Sequence, residues 1–265
     1  MTETTIPTIT LITDFGYRDP FVGIMKGVIL AVNPEVRIVD LTHEIERHNV
    51  EEALYTLSCS CRYFPEGTIH LVVVDPGVGT GRRPLLVEWE NSIFLAPDNG
   101  ALSLLFADAG RCTVREITAD RYMRKPVSRT FHGRDIFAPV AAWLSRGVSR
   151  EKMGPEISDY KQLNIPQLLI SEDRLRGEVI HVDRFGNLIT NIQRQHLEAF
   201  ENQDFVVEIG GKKFRGFYQS YAENRTDAPG IILNSFDLME IFCFMGSAQE
   251  KTGILRGDRV HLYFG

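Results

Sequence analysis

The first half of the chain alternates between short runs of β-branched residues and longer stretches with apolar residues at helical spacing. The strand pattern occurs at 8–13, 36–41, 69–74 and 93–96. The helical pattern occurs at 20–32, after 48, at 101–107 and at 134–146. The first helix is predicted to have Asp19 as its N-cap and Pro20 at its first helical position, and Gly147 is expected to cap the last helix. This alternation predicts an α/β fold, an N-terminal doubly wound, mostly parallel α/β/α domain.

The pattern changes after about residue 150. Residues 156–176 are polar with few periodic signals, and are predicted to be a linker. Short strand-like runs follow, separated by turns, at 178–182, 188–192, 205–217, 231–233 and 259–264. The sequence therefore predicts two domains, at 1–155 and 177–265, of which the second is a small antiparallel β-barrel-like domain.

Composition limits the classes of partner. The 265 residues are 43% hydrophobic and 24% charged, which is typical of a globular protein. The net charge of −6, with scattered Lys and Arg, argues against a nucleic acid or an anionic membrane as partner, because phosphate binding needs a concentrated basic surface. No apolar run approaches the ~20 residues of a membrane span, and the N-terminus does not resemble a signal peptide, so a cytoplasmic location is expected.

Metal ligation is not predicted. Cys59 and Cys61 lie two residues apart on a predicted helix, so their side chains point to nearly opposite sides. Cys61 is expected in the core. The seven histidines show no ligand spacing and no His-Glu-x-x-His motif. We therefore expect no metal site.

Two acidic residues follow predicted strands of the parallel sheet. Asp14 comes directly after the first strand, and Asp75 comes directly after the strand predicted at 69–74. Ligands of open parallel sheets bind beyond the carboxyl ends of the strands. Either aspartate alone could equally well begin a turn. Their equivalent positions favour a polar ligand.

Three further segments carry candidate chemistry. The loop 77–81 lacks the ending of a P-loop, and Arg82 occupies the third-glycine position of a dinucleotide fingerprint, so phosphate binding is not supported. Arg82 is instead predicted to turn back toward Asp75, with an ordinary surface arginine as the alternative. His132 precedes a predicted helix, where it could also be a cap or a core residue. Asp183 and Asn187 flank a turn, for which these residue types are suited in any case.

Taken together, these motifs resemble those of the S-adenosyl-L-methionine (SAM) hydroxide adenosyltransferases, which are related to the SAM-dependent fluorinase and chlorinase. The similar motifs span nearly the whole chain in order, at 12–16, 19–27, 65–68, 75–82, 96–100, 131–139, 183–191 and 233–235. The resemblance implies hydrolysis of SAM to adenosine and L-methionine by attack of water on the ribose C5′ carbon, with no cofactor.

The resemblance also implies roles for particular residues. It assigns holding and activation of the attacking water to Asp75, Arg82 and His132, and binding of the ribose hydroxyls to Asp14. The methionine end falls to Asp183 and Ser235. The nucleoside is expected to lie near Phe185, Asn187 and Tyr221, with the backbone at Met245 at the adenine edge. Members of the family form homotrimers, in which the active sites lie at subunit interfaces.

One contrast with related enzymes, one departure from the family and two alternatives belong to this resemblance. The halogenating relatives have tyrosine where Asp75 stands, so the water-type set here disfavours halide as the nucleophile. Relatives commonly have asparagine where Phe244 lies, which bears on the adenine-edge contacts. The alternatives are a non-catalytic SAM- or adenosine-binding sensor, and halide-dependent adenosyl transfer.

Overall fold

A computed structural model describes residues 6–106, 112–171, 174–198 and 205–264. The chain divides into two compact units, one ending at Asn164 and one beginning at Ile165. The domain boundaries predicted from the sequence, at 155 and 177, stay predictions.

The first unit is built on a six-stranded sheet in the order β2-β1-β3-β5-β4-β6. Its strands are β1 Thr8–Thr13, β2 Arg37–Thr42, β3 Ile69–Val73, β4 Pro84–Trp89, β5 Ser92–Pro97 and β6 Cys112–Glu116. Neighbours among β2, β1, β3 and β5 are parallel, whereas β4 runs antiparallel to both β5 and β6. The predicted mostly parallel sheet is therefore confirmed. Strands β4 and β6 were not predicted from the sequence, and β4 forms a hairpin with β5.

Helices cover both faces of this sheet. They are α1 Phe21–Val32, α2 Val50–Ser60 and α3 Ala138–Ser145, the last preceded by a π-helical turn at Gly133–Phe137. Alternate strand residues face opposite sides. Ile9 and Leu11 accordingly pack in one core with Met25 of α1, and Ile12 packs in the other with Leu57 of α2. The predicted double winding is present.

Two helix predictions are wrong in detail. Helix α1 begins at Phe21 and Pro20 itself is the N-cap residue, so Asp19 does not cap it. The α-helix predicted at 101–107 is absent: residues 101–106 form a turn followed by a single 3₁₀ turn, and residue 107 lies outside the described residues. Gly147, by contrast, has a φ of +80° directly after the C-cap Arg146, as a C-terminal glycine should.

The second unit is a curled, nearly all-antiparallel sheet of nine strands, as predicted. Eight of them follow the order β11-β10-β15-β8-β9-β14-β13-β12, and β7 pairs with β8. The strands are β7 Leu169–Ile170, β8 Arg174–Val182, β9 Leu188–Gln193, β10 Phe205–Ile209, β11 Lys212–Phe214, β12 Phe217–Tyr218, β13 Gly230–Leu233, β14 Leu238–Phe242 and β15 Arg259–Phe264. Two short helices accompany them, α4 Arg194–Glu198 and α5 Ala248–Thr252. Strand β8 begins inside the stretch predicted to be a linker.

Candidate active site

Asp75, Arg82 and His132 form one contact cluster in the first unit. The Nε of Arg82 donates to both carboxylate oxygens of Asp75, at 3.0 Å to Oδ1 and 2.9 Å to Oδ2. Its Nη2 donates to Oδ2 as well, and lies 2.6 Å from His132 Nδ1. The side chains of Arg82 and Asp75 are only 4% and 7% exposed. The predicted turn of Arg82 toward Asp75 is thus present, and His132 joins the pair.

The chain brings Asp75 and Arg82 together by a tight loop after β3. The backbone N–H of Val78 donates to the Asp75 carbonyl, and the Thr80 hydroxyl donates to the Gly77 carbonyl at 2.6 Å. Gly79 has a φ of +78°, and a Cβ built there would lie 2.2 Å from the carbonyl oxygen of Arg129. The loop therefore packs against the segment before His132 in a way that only glycine permits.

Arg82 fixes the protonation state of His132. A guanidinium has only donors, so the Nδ1 atom that faces it must accept, which leaves the imidazole proton on Nε2. Burial and the neighbouring positive charge of Arg82 lower the pKa of His132 below its usual value. His132 is therefore neutral at pH 7 and offers an N–H donor from Nε2.

The Arg82 guanidinium also packs on an aromatic ring at the start of α3. Its central carbon lies 5.5 Å from the centre of the Phe137 ring. Arg82 Nη1 is buried, and no hydrogen-bond partner for it exists among the described residues. The guanidinium thus has donor capacity beyond the contacts to Asp75 and His132.

A cavity of about 1110 Å³ opens at the carboxyl ends of β1 and β3. Asp14, Asp75 and His132 all line it. Asp14 directly follows β1, and its Oδ2 accepts from the backbone N–H of His48 at 3.0 Å. The position of both aspartates at strand ends, predicted from the sequence, is confirmed.

A buried histidine supports the turn that carries Asp14. His43 Nδ1 lies 2.8 Å from Thr13 Oγ1, and the Phe15 N–H donates to the same oxygen at 3.2 Å. The His43 carbonyl accepts from the Gly16 N–H at 2.7 Å. These contacts tie both sides of Asp14 to the segment that follows β2.

The second unit has its own pocket, of about 620 Å³. Five of the predicted binding residues line it, together with Cys243, Phe244 and Gly246: Asp183, Phe185, Asn187, Tyr221 and Met245. Phe185 and Met245 are 75% and 92% exposed, unusual values for large apolar side chains. Ser235 is exposed in the turn after β13 and does not line this pocket. Its predicted role, like those of the other site residues, stays a prediction.

Asp183 organises the turn at one edge of this pocket. Its Oδ1 accepts from the backbone N–H of Phe185 at 2.8 Å and from that of Asn187 at 2.9 Å. Its Oδ2 accepts from the side-chain amide of Asn187, also at 2.9 Å. Turn formation and a binding role are thus compatible here, because a carboxylate has about four lone-pair positions.

Sequence reasoning missed several residues that shape the two pockets. His43 and His48 contact the Asp14 turn, and Glu240 lies buried behind Tyr221. No motif pointed to His43 or His48. The signal for Glu240 was a charged residue within the apolar run 238–244, and no role was predicted for it.

The described ranges contain no group of three or more His, Cys, Asp or Glu residues that could hold a metal ion. The helices described are all too short or too polar to cross a membrane.

Comparison with known proteins gives consistent matches to one family. The model of the SAM hydroxide adenosyltransferase N-terminal domain matches residues 9–154, and that of the C-terminal domain matches residues 177–261. The (R)-S-adenosyl-L-methionine hydrolase of Salinispora tropica is 39% identical over 98% of this chain and 98% of its own. That of Thermus thermophilus is 36% identical over 95% and 97%. A fluorinase from Actinopolyspora mzabensis is 30% identical over 73% of this chain and 74% of its own.

Solved structures show the same fold. A crystal structure of an uncharacterized conserved protein from Thermotoga maritima is 35% identical, with a TM-score of 0.90 over 96% of this chain and 99% of its own. Both domain models and full-length relatives therefore agree, and the chain belongs to the SAM hydroxide adenosyltransferase family.

Proposed function

We propose that this protein hydrolyses SAM to adenosine and L-methionine. The observation that carries the proposal is the Asp75–Arg82–His132 cluster, two members of which line the same cavity as Asp14. The relatives that match this protein over nearly its full length are named (R)-S-adenosyl-L-methionine hydrolases. The nucleophile is water, which attacks C5′ in line with the C5′–S bond. The electron pair of that bond moves to sulfur, which leaves as neutral methionine. The water keeps one proton as the 5′-hydroxyl and gives the other to Asp75.

The cluster serves mainly to position this water. Asp75 accepts three hydrogen bonds from Arg82, two of them at Oδ2, so Oδ1 keeps a lone pair for the water or its departing proton. His132 donates from Nε2, so it orients the water oxygen and is not the base. Correct placement of a reactant lowers the activation free energy by up to roughly 7–11 kcal/mol. General-base assistance lowers it by roughly 3–5 kcal/mol.

A sulfur atom that leaves from a sulfonium is a good leaving group, so the reaction needs no general acid at sulfur.

Asp75 explains why water is preferred to halide as the nucleophile. A carboxylate binds water through its protons, whereas it repels an anion at the same position.

The remaining residues are assigned to substrate contacts. Asp14 binds the ribose hydroxyls, Asp183 and Ser235 bind the methionine end, and the nucleoside lies near Phe185, Asn187 and Tyr221, with Met245 at the adenine edge. We further propose a homotrimer in which each substrate contacts the cavity of one subunit and the pocket of a neighbour. The exposed apolar side chains of Phe185 and Met245 support such a covered position.

The configuration at sulfur is a finer part of the proposal. The names of the relatives specify the R configuration of the sulfonium. We therefore assign the R epimer as the preferred substrate of this protein.

Hydrolysis in halide-free ¹⁸O-labelled water tests the proposal. The purified protein is incubated separately with each sulfonium epimer of SAM, and the products are followed by mass spectrometry. We expect adenosine labelled at its 5′ oxygen together with an equal amount of methionine, formed faster from the R epimer. Stable binding of both epimers without turnover would instead favour the sensor. Formation of 5′-chloro-5′-deoxyadenosine on addition of chloride would favour halide transfer.

A further inference from the structure

Glu240 is a charged residue in the core of the second unit. It lies in the middle of β14, between β9 and β13, and is only 2% exposed. Burial raises the pKa of its carboxyl group, and the nearby charge of Asp183 acts in the same direction. Burying a carboxylate costs free energy that an apolar side chain of similar volume avoids. Its presence there calls for a reason other than core packing.

One oxygen of Glu240 holds a wall of the pocket. The Tyr221 hydroxyl donates to Oε1 at 2.9 Å, while the tyrosine ring packs edge-on against Phe242 at 5.1 Å between ring centres. Tyr221 is itself partly exposed and lines the pocket. The hydrogen bond and the ring contact together leave the tyrosine one orientation.

The other oxygen of Glu240 holds the turn after β13. Asn234 Nδ2 donates to Oε2 at 3.1 Å. The Oδ1 of Asn234 accepts from the backbone N–H groups of Phe236 and Leu238, at 2.9 and 3.1 Å. Asn234 thereby sets the course of the turn that carries Ser235.

We infer that Glu240 is a positioning residue for SAM, acting through Tyr221 and through the Asn234 turn. It does not line the pocket itself. One buried carboxylate thus holds two separate segments in position, and each segment carries a residue that is assigned to substrate binding. This inference rests on the proposed function, because its substrate is the one proposed there.

The test is a pair of substitutions of similar size. Glu240→Leu removes both acceptors and leaves the Asn234 amide unpaired. Glu240→Gln keeps an acceptor for Asn234, and its amide can donate to Tyr221, whose hydroxyl can turn to accept. We expect Glu240→Leu to raise KM for SAM and Kd for adenosine about tenfold, the effect of roughly one lost hydrogen bond. Its kcat should stay within about twofold of wild type, and Glu240→Gln should restore KM to within about threefold.

The double variant Tyr221→Phe, Glu240→Leu shows whether the effect passes through the tyrosine. We expect the fold-increase in KM of the double variant to be smaller than the product of the fold-increases of the two single variants, because both substitutions remove the same hydrogen bond. A Glu240→Leu protein with wild-type KM and a lower melting temperature would show a purely structural role and overturn the inference. Wild-type protein that neither hydrolyses nor binds SAM would instead refute the proposed function, a result distinguishable from the first.

Discussion

Arg82 is the residue that orients both of its partners. It holds the Asp75 carboxylate in a paired contact, and it forces His132 to accept through Nδ1. A lysine would supply neither the paired contact to the carboxylate nor the fork that reaches the imidazole at the same time. The cluster is therefore a single unit, and its members should not behave additively on substitution.

Asp75→Asn should lower kcat by about 10²- to 10⁴-fold, because the amide cannot accept a proton and places a donor toward Arg82. Initial rates of adenosine formation at saturating SAM measure this change. His132→Ala should also lower kcat, and the double variant should be little worse than Asp75→Asn alone. Full turnover in both single variants would exclude the proposed water site.

His70 makes a separate prediction about stability. Its ring is fully buried on β3, with Nδ1 2.8 Å from Thr10 Oγ1 and with no partner for Nε2 among the described residues. Burial lowers the pKa of His70 to about 4. The unfolded chain therefore binds a proton more readily, so stability that is complete above about pH 6.5 falls as the pH drops toward 4.

The fall in the pKa of His70 from its ordinary 6.5 to about 4 corresponds to roughly 3 kcal/mol in full, of which about 2.5 kcal/mol is lost by pH 4.5. Urea unfolding at pH 7.5 and pH 4.5 measures the loss in wild type. His70→Gln, which does not titrate, should lose about that much less between the same two pH values. Equal losses in the two proteins would show that His70 is not responsible.

At the scale of elements, the site depends on the contact between two loops. The loop 75–82 carries Asp75 and Arg82, and the segment before α3 carries His132. Gly79 lies where they touch, with a left-handed φ and no room for a Cβ beside Arg129. The close approach of the two loops at Gly79 therefore helps to set the distance between Arg82 and His132.

Gly79→Ala should lower kcat by about 10²-fold, because a shift of about 1 Å is enough to misplace reacting groups. Gly81→Ala is the matched control. Gly81 lies in the same loop, but nothing lies within 4 Å of a Cβ built there, so its kcat should stay within about twofold of wild type. Circular dichroism should show both proteins folded, and equal activities would contradict the proposed loop contact.

At the scale of the whole molecule, the proposed trimer predicts that two inactive variants complement each other. Asp75→Asn disables the cavity and Asp183→Asn the pocket. If each site combines parts of two subunits, co-expression of the two variants should restore about a quarter of wild-type activity, since random assembly produces intact pairs with that frequency. Activity no higher than the sum of the separate variants would show that no site is shared.

Much of this organisation was predictable from local patterns. The strand before Asp14, the Arg82 contact and the cap at Gly147 depend on residues that are near one another in sequence. Strand β4 of the β4–β5 hairpin was missed because its apolar residues follow one another without the alternation of apolar and polar positions that marks a half-buried strand. The start of α1 was misplaced by one residue, since Pro20 fits both the N-cap and the first helical position.

Periodicity and residue identity were enough to predict most of the helices and strands and the ordered motifs of the family, although β4 and β6 were missed and the helix at 101–107 is absent. Three contacts became visible only in the folded chain: His132 lies against Arg82 across 50 residues, His43 supports the Asp14 turn, and Glu240 joins Tyr221 to Asn234. Such contacts depend on which strands become neighbours in the sheets. That choice follows from the burial of the whole chain, which no local segment encodes.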